Sequence, residues 1–557
     1  MRFSLVVVLL PLSFSCGQGP FEPDAGAPSD AGDVSDAGAS LTDAGGTGAD
    51  AGSAPDAGAT DSGTPDAGAP DGGPTDSGTT TPDASAVDAG LVTIDSGVTL
   101  AAVSHPRELR GIWVATVVNL DVPQGLSPDA GVAAMNALVE RTRDAGLNAI
   151  FFQVRPESDA WYQSALEPWS RYLTGTQGRD PLWDPLDALL TAAHARGVEV
   201  HAWMNPYRGL VTAGNATAMN HVTRTLSAHA ITYDNKVTMN PGAPAVRAHV
   251  VNVVRDLLGH YDVDGLHFDD YFYPYPDAAS SPFPDDATFQ AYRADGGTMT
   301  KSDWRRDNVN ALVREVMNEV TASHPTVRFG VSPFGIWKPN NPPGVVGLNA
   351  YETISCDAVA WMNNGWVDYV APQLYWPTTS PGQPFVPLAT WWADGTMGGR
   401  HVFPGHGLYR LGTAGWNADE IRAQVNATRS LRSRGMMGGI HFREANLRAN
   451  LSGVFDLFHD ELYATPALPP PIPRQGSSMT PLPPVVTKQG ASLTVSHPLP
   501  LTARFYALYR FDSTGWTLVD VAGGVQARFG PLSPGTWAVS AINRGGAESQ
   551  GVVVVAP

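Results

Sequence analysis

The sequence predicts an α/β protein whose main domain is a (β/α)8 TIM barrel, preceded by a disordered linker and followed by a small β-sandwich. Eight short apolar segments alternate with amphipathic helical segments over residues 105–465, which is the pattern of such a barrel. Residues 479–557 alternate apolar and polar side chains between turn signals, as sandwich strands do. An Asp-Ala-Gly-rich stretch over residues 16–104 offers little to bury and is therefore predicted to be disordered.

The N-terminal segment carries an export signal. Residues 1–15, MRFSLVVVLLPLSFS, have one basic residue, an apolar run and small residues, the pattern of a secretory signal peptide. Cys16 follows directly in a sequence similar to a bacterial lipobox. We therefore expect a lipid on Cys16, attachment to the membrane and a location in the cell envelope; an ordinary signal peptide and secretion are the alternative.

The acidic charge is concentrated in the predicted linker. The formal net charge is −19, but residues 17–100 hold 15 of the 54 Asp and Glu and no Lys or Arg. The remaining 39 acidic and 35 basic residues nearly balance, which excludes the basic surface of a nucleic-acid-binding protein. With Cys16 lipidated, Cys356 has no partner for a disulfide and is predicted to be buried. We expect a monomer without a cofactor.

Two helical segments illustrate the barrel pattern. LWDPLDALLTAAHARG ends at Gly197, as a helix C-terminus does, and WRRDNVNALVREVMNEV places apolar residues at helical spacing. A doubly wound open sheet is the alternative fold. No Gly-rich phosphate loop opens any of these helical segments, which argues against a nucleotide-binding fold.

Alternation along the strands predicts which side chains face the barrel axis. In VDGLHFDDY, the apolar Leu266 and Phe268 should face the helices, so His267 and Asp269 face the axis and Tyr271 follows in the same phase. Applied to three other strands, the same test gives a larger inward set that becomes polar or aromatic toward the C-terminal ends, where barrel active sites form. That inward set is Gln153, Arg155, Glu157, His201, Trp203, Asn205, Tyr207, Gln373 and Tyr375.

The two adjacent aspartates are the candidate catalytic groups. Asp269 is the inward carboxylate, and a low dielectric surrounding should raise its pKa, which suits a proton donor. Asp270 lies at the strand's end. Glycoside hydrolysis usually needs two carboxyl groups, and the partner of Asp269 is either Glu157 or Asp270. A structural ion pair between Asp269 and Arg155 is the non-catalytic alternative.

Long segments resemble the glycosyl-hydrolase-like family 10 proteins over about residues 105–450, among them ELRGIWVATVVNLD, QVRPESDAWYQSALEPWSRYLTGTQG, YDVDGLHFDDYFYP and WVDYVAPQLYW. The resemblance implies a barrel enzyme of the bacterial envelope, at least some relatives of which cleave peptidoglycan glycan strands stripped of stem peptides. The eighth strand, GGIHFREANL, departs from the family pattern at Glu444. Family positions carry over onto Glu157, His201, Asn205, Tyr207, Asp269, Asp270, Gln373 and Tyr375.

The resemblance and the inward phase together predict a substrate-binding set beside the carboxylates. Flat aromatic rings near strand ends suit stacking on sugars. An N-acetylated sugar would also permit its own amide to act as nucleophile, held by Tyr375. The predicted substrate-binding residues are Arg155, His201, Trp203, Asn205, Tyr207, His267, Tyr271, Gln373, Tyr375 and Trp376.

Two other functions stay open at this point. His201, His267 and Asp269 share the inward phase and would suit a metal-dependent deacetylase or amidohydrolase, although spacing alone carries little weight and no metal site is predicted. A non-catalytic glycan-binding lipoprotein is the second alternative. In the C-terminal region, a proline-rich linker over residues 466–478 leads to strands of which AVSAINRGGAESQG resembles the end of a fibronectin type III module.

Overall fold

The computed structural model of the 557-residue chain describes residues 91–93, 97–395, 399–475, 480–499 and 501–557. The predicted signal peptide, Cys16 and residues 17–90 of the predicted linker lie outside these ranges.

Strands follow one another through the chain in three groups: two short strands first, then the strands of a large sheet with one insertion, then the C-terminal strands. In chain order they are β1 (Leu91–Thr93), β2 (Thr99–Ala101), β3 (Leu109–Val114), β4 (Ala149–Arg155), β5 (Glu199–Met204), β6 (Arg208–Leu210), β7 (Ala230–Tyr233), β8 (Lys236–Met239), β9 (Gly265–Phe268), β10 (Arg328–Val331), β11 (Tyr369–Val370), β12 (His401–Val402), β13 (Gly405–Gly407), β14 (Gly438–Phe442), β15 (Val485–Gln489), β16 (Ser492–Ser496), β17 (Ala503–Asp512), β18 (Gly515–Gly523), β19 (Gln526–Phe529), β20 (Gly535–Asn543) and β21 (Gly551–Ala556).

Helices occupy the connections between the strands of the large sheet. They are α1 (Pro128–Asp144), α2 (Arg171–Thr174), α3 (Pro185–Ala195), α4 (Val222–Thr225), α5 (Pro244–His260), α6 (Asp286–Ala294), α7 (Lys301–Ser323), α8 (Ala350–Thr353), α9 (Ala358–Asn363), α10 (Phe385–Asp394), α11 (Ala418–Ser430), α12 (Glu444–Arg448) and α13 (Val454–Leu457). Several of the longer helices start at side-chain caps: Asp184 accepts from two backbone N–H groups of α3, and Thr300 accepts from one of α7. Within the described part of the chain, every helix is too short or too polar to cross a membrane.

The large sheet is parallel and curled. Its strand order is β12-β11-β10-β9-β5-β4-β3-β14-β13, so the two end strands are β12 and β13, which only Phe403 and Pro404 separate in the chain. A bridge between Gln373, beyond β11, and Gly405 of β13 completes the return of the sheet onto itself. This α/β architecture, with helices between parallel strands, is consistent with the predicted TIM barrel.

Side-chain contacts confirm the predicted alternation through most of the sheet. Leu266 and Phe268 join the apolar core shared with the helices. On the other face an aromatic layer fills the interior, with Phe151 4.4 Å from His201 and 5.1 Å from His267 between ring centres. This layer closes the middle of the barrel and leaves the polar side chains beyond it at the C-terminal mouth.

The C-terminal strands form two antiparallel sheets, with orders β1-β2-β21-β20-β17-β18 and β15-β16-β19. One face of the six-stranded sheet packs on the three-stranded sheet, through side chains such as Val495 and Trp537. At the barrel's N-terminal end, Arg504 of β17 contacts Asp262 and Asp264, which precede β9. The C-terminal sheets therefore lie at the end of the barrel opposite the mouth.

The prediction of a disordered linker is wrong for its last residues. β1 and β2 pair with each other, and β2 pairs with β21, so this segment adds two strands to the six-stranded sheet. Leu100 and Ala101 are buried there. The acidic repeats that dominate the linker's composition end before Leu100, and pairing with an open sheet edge orders a short apolar segment that composition alone assigns to disorder.

Candidate active site

Asp269 lies at the mouth, directly after β9, and is held by three N–H donors. Trp203 Nε1 and Asn205 Nδ2 donate to its Oδ2 at 3.3 and 3.0 Å, and the backbone N–H of Asp270 donates to its Oδ1 at 2.9 Å. The side chain is almost entirely buried, at 7% exposure. The structure thus brings Trp203 and Asn205, at the end of β5, against the aspartate that alternation directs to the axis.

The amide of Asn205 is fixed by a second amide from the neighbouring strand. Gln153 of β4 donates from Nε2 to Asn205 Oδ1 at 2.7 Å, and its own Oε1 accepts the backbone N–H groups of Thr116 and Val117 at 2.9 Å. Because Gln153 uses its oxygen on those donors, it presents N–H to Asn205, and Asn205 in turn presents N–H to Asp269. This relay makes Asp269 an acceptor.

Asp270 occupies a different environment from its neighbour. It is 1% exposed, and Tyr275 donates its O–H to Oδ2. Gln373 lies near enough to the carboxyl group to lower its pKa, and donates its own side-chain N–H to the carbonyl oxygen of Ser332 at 3.0 Å. Burial raises the pKa of Asp270 well above its ordinary value, and the adjacent charge of Asp269 adds to the rise. The surroundings of Asp270 therefore favour its protonated form.

Aromatic side chains border the two aspartates. Tyr375 stacks on Phe442 at 5.8 Å and meets Tyr409 edge-on at 5.7 Å between ring centres. Burial raises the pKa of Tyr375 well above 10, with further rises from Tyr409 and from the two aspartates, so the phenol remains an O–H donor. Trp376, half-buried, meets Phe334 edge-on at 5.6 Å. These rings give the mouth flat surfaces suited to sugars.

Tyr271 directly follows Asp270 in the chain. Its ring is 5.6 Å from that of Tyr275 and carries the guanidinium of Arg208 at 4.2 Å. Of the predicted set, the structure thus brings together Trp203, Asn205, Asp269, Asp270, Tyr271, Gln373, Tyr375 and Trp376.

Arg155 does not join the site. The pairing of β4 with β5 shifts between Gln153 and Arg155, so Arg155 lies opposite Met204 and follows its outward phase. Its guanidinium forms a bidentate pair with Glu167 at 2.7 and 2.6 Å and donates to the carbonyl oxygens of Asn205 and Pro206. Neither the predicted substrate contact nor the alternative pair with Asp269 occurs, because a bulge that sequence alternation cannot show reverses the face.

Glu157 is enclosed in a separate polar cluster. Val211 N donates to Oε1 at 2.5 Å, Arg171 lies 3.2 Å from Oε2, and the residue is 0% exposed. Burial raises the pKa of Glu157, with a further rise from Asp159. None of these contacts is with Asp269 or Asp270, so the described structure does not present Glu157 as their catalytic partner. Glu157 lies beyond the end of β4, where strand alternation no longer applies.

The predicted histidines belong to the barrel interior, beneath the mouth. His201 Nε2 contacts Glu199 at 3.0 Å, and His267 contacts Tyr369 OH at 2.9 Å and Ser332 Oγ at 3.1 Å. Both are 0% exposed, and burial lowers the pKa of His267 well below its ordinary value. The structure therefore places both histidines within the aromatic layer of the barrel and not among the side chains that border the two aspartates.

Tyr207 and Glu444 contact residues other than the two aspartates. Tyr207 is fully buried and packs edge-on to Phe272 rather than at the mouth, because it lies beyond the end of β5, where strand alternation stops. Glu444 follows the eighth strand, the segment that departs from the family pattern, and forms ion pairs with Arg141 and Arg448. Over the described residues, no three His, Cys, Asp or Glu side chains are grouped as metal ligands.

Tyr275 and Arg208 are the site residues that sequence reasoning did not select. Tyr275 lies in the loop after β9, and Arg208 begins β6, a short strand outside the large sheet, so the alternation of the barrel strands applies to neither. The signal available was composition: FYPYPD follows the aspartates, and Arg208 directly follows Tyr207.

Comparison with known proteins shows the family to which the chain belongs. The model of the glycosyl hydrolase-like 10 family matches residues 108–420, and the chain belongs to that family. It is 36% identical over 388 residues to glycosyl hydrolase YngK of Bacillus subtilis (strain 168), covering 67% of this chain and 75% of that protein. It is 34% identical over 330 residues to glycosyl hydrolase DigH of Escherichia coli (strain K12), covering 55% of this chain and 74% of that protein.

Among solved structures, the chain is similar to the PgaB (BpsB) glycoside hydrolase domain from Bordetella bronchiseptica. The TM-score is 0.40 at 15% identity, covering 64% of this chain and 98% of that one.

Proposed function

We propose that the protein is a glycoside hydrolase that cleaves N-acetylated glycan strands of the bacterial envelope, namely peptidoglycan glycan stripped of stem peptides. The observation that carries this proposal is the aspartate pair at the mouth: Asp269 accepts three N–H donors, whereas burial raises the pKa of Asp270 and favours its protonated form. Two carboxyl groups whose environments separate their protonation states supply an acid and a carboxylate for glycosidic cleavage. Membership in a glycosyl hydrolase-like family supports the reaction class.

The spacing of the pair favours assistance by the substrate. Asp269 and Asp270 are adjacent in the chain, and Asp269 contributes to the raised pKa of Asp270. Enzymes with a carboxylate nucleophile hold two carboxyl groups roughly 5–5.5 Å apart, and inverting enzymes roughly 6.5–9.5 Å apart, on the two sides of the scissile bond, which two successive residues at one strand end do not readily supply. With Glu157 enclosed elsewhere, the acetamido group of the sugar is the nucleophile that best fits this geometry.

In the proposed reaction, Asp270 donates its proton to the glycosidic oxygen as the bond to the anomeric carbon breaks. The carbonyl oxygen of the 2-acetamido group bonds to that carbon, while Asp269 accepts a hydrogen bond from the amide N–H and offsets its developing positive charge. Tyr375 donates its O–H to the reacting amide. Asp270, now a carboxylate, takes a proton from water, which attacks the anomeric carbon and releases the acetamido group with net retention.

Substitution of the pair tests the function. On peptide-stripped glycan, the wild-type protein should release new reducing ends, and Asp270→Asn should lower kcat/KM by about 10²–10⁴-fold, the usual contribution of a general acid. Asp277→Asn, at a half-buried aspartate of the same loop whose carboxylate contacts Ser281, is the matched control. Binding without cleavage by the wild-type protein would identify a glycan-binding protein instead, and activity abolished by a chelator would identify a metal enzyme.

Removal of the acetyl groups tests substrate assistance. Glycan that has been chemically N-deacetylated should be cleaved far more slowly than the acetylated strand, and proton NMR of the first product should show retention at the anomeric carbon. Equal rates on both strands, or inversion, would exclude the acetamido nucleophile while leaving the hydrolase assignment intact.

The location in the envelope is part of the proposal. A lipid on Cys16 would hold the protein at the membrane, and the acidic segment that follows would give the barrel reach toward the glycan. Metabolic labelling with a fatty acid should mark the wild-type protein and not Cys16→Ser. We also propose that the C-terminal sheets form a fibronectin type III-like module that supports the barrel.

A further inference from the structure

Arg208 lies at the mouth beside the aspartate pair. Its guanidinium carbon is 4.2 Å from the centre of the Tyr271 ring, and Tyr271 directly follows Asp270 in the chain. The ring of Tyr271 meets that of Tyr275, whose hydroxyl donates to Asp270. Arg208 is half-buried, at the start of β6. The rings of Tyr271 and Tyr275 thus connect the guanidinium of Arg208 to the carboxyl group of Asp270.

Arg410 lies on the other side of the mouth, just beyond β13. Its guanidinium carbon is 5.9 Å from the centre of the Tyr409 ring, and Tyr409 meets Tyr375 edge-on at 5.7 Å. Arg410 is half-buried, and its Nε is fully buried without a hydrogen-bond partner. β13 is four strand positions from β5 in the order of the sheet, so the two arginines lie on opposite sides of the mouth, with the aspartates on the strand next to β5.

Neither arginine has an acidic partner among the residues described by the structure, unlike the buried Arg155 and Arg504. Arg155 is matched by Glu167, and Arg504 by Asp264. Stacking on tyrosine rings stabilises a partly desolvated guanidinium but leaves its N–H donors available. Such donors fit a planar carboxylate in a bidentate arrangement.

We propose that Arg208 and Arg410 bind carboxylate groups of the glycan, so that the mouth selects N-acetylated strands bearing free acidic groups. This inference rests on the proposed function. In peptide-stripped peptidoglycan, the lactyl ether on every second sugar ends in a carboxylate. A stem peptide converts that group to an uncharged amide and adds bulk, so recognition by the two cations yields a preference for stripped strands.

The test compares two forms of one glycan: the peptide-stripped strand, and the same strand with its lactyl carboxylates converted to methyl amides. The wild-type protein should give a higher kcat/KM on the carboxylate form. Arg208→Gln and Arg410→Gln should each lower the ratio of the two kcat/KM values by about tenfold or more, as expected for loss of a hydrogen bond to a charged group. Arg224→Gln, an exposed arginine in the same insertion that contacts Thr217, should keep the wild-type ratio.

The ratio separates recognition from damage to the fold, because a structural defect lowers both rates together. Equal rates on the two glycans by the wild-type protein, or unchanged ratios in both variants, would overturn the inference. Calorimetric binding of the two glycans to Asp270→Asn supplies a readout that does not require turnover. A carboxylate preference in binding, with no cleavage by the wild-type protein, would retain the inference and reject the proposed hydrolase.

Discussion

At the scale of single residues, the side-chain amide of Asn205 supplies one of the hydrogen bonds that Asp269 accepts. Asn205→Asp replaces a donor with a second carboxylate facing Asp269. Two carboxyl groups at such short range repel each other when both are ionised. One of them will therefore take up a proton, and the hydrogen bond from the Asn205 amide to Asp269 will be lost. We expect kcat on peptide-stripped glycan to fall by about 10²-fold, comparable to the loss of one preorganised donor.

The circular dichroism spectrum should report an intact fold for Asn205→Asp. Asn364→Asp, at an exposed position near the end of α9, is the control and should retain wild-type kcat. Wild-type kcat in Asn205→Asp would mean that the relay from Gln153 does not serve the reaction.

The hydroxyl of Tyr275 tunes the acid. Burial dominates the raised pKa of Asp270, and the hydrogen bond from Tyr275 opposes that rise. Tyr275→Phe removes the opposing interaction, so the pKa of Asp270 should rise further and the acid should stay protonated to higher pH. The alkaline limb of the kcat/KM profile should therefore move upward.

Tyr292→Phe, on the distant helix α6, should leave the profile of kcat/KM against pH in place. A downward shift of the alkaline limb in Tyr275→Phe would reverse the assignment of Asp270 as the proton donor, since it would mean that the hydroxyl stabilises the protonated form.

At the scale of elements, strand alternation predicted most of what the barrel brings together. It directs Asp269, Trp203 and Gln373 toward the mouth, because one buried face fixes the phase of each strand. It failed at Arg155, where a bulge in β4 reverses the phase, and at Glu157, which lies past the strand's end. Tyr275 lies in a loop, which has no period, and Arg208 begins the short strand β6 outside the large sheet, so both required coordinates.

The buried ion pair between Arg155 and Glu167 adjoins the bulge in β4, and its contribution to the free energy of unfolding can be measured. Burial would raise the pKa of Glu167, but Arg155 and His249 outweigh it and lower the pKa to about 2. Ionised Glu167 therefore stabilises the folded state above its ordinary pKa of 4.5, and this contribution is lost as the pH falls from 4.5 toward 2. Glu167→Gln leaves Arg155 buried without its partner, which should lower the free energy of unfolding by about 3–5 kcal/mol at pH 7.

Urea unfolding of Glu167→Gln at pH 7 and at acid pH measures this effect. The gap from the wild-type free energy of unfolding should narrow as the pH drops below 4.5. Glu140→Gln breaks an exposed pair with Arg196 and should cost at most about 1 kcal/mol. An equally small cost for Glu167→Gln would show that the bulge does not depend on this pair.

At the scale of the whole molecule, the aspartate pair and the contacts with the C-terminal sheets occupy opposite ends of the barrel. The aspartate pair follows the C-terminal end of β9, while Asp262 and Asp264 precede its N-terminal end and bind Arg504 of the C-terminal sheets. Composition predicted separate strands there, but it could not predict where they dock, since docking depends on individual ion pairs. The segment after residue 465 also packs there: Arg328 of β10 donates to the Pro470 carbonyl at 2.7 Å.

This separation gives a prediction that distinguishes support from catalysis. Arg504→Gln leaves Asp264, which is 8% exposed, without its arginine partner, so the free energy of unfolding should fall by about 3–5 kcal/mol. The kcat/KM of the folded protein on stripped glycan should stay near the wild-type value, because the substituted side chain lies at the far end of the barrel. Arg510→Gln, an exposed position on the same strand, should change neither quantity. A large loss of kcat/KM with unchanged unfolding in Arg504→Gln would instead make the C-terminal sheets part of the reaction.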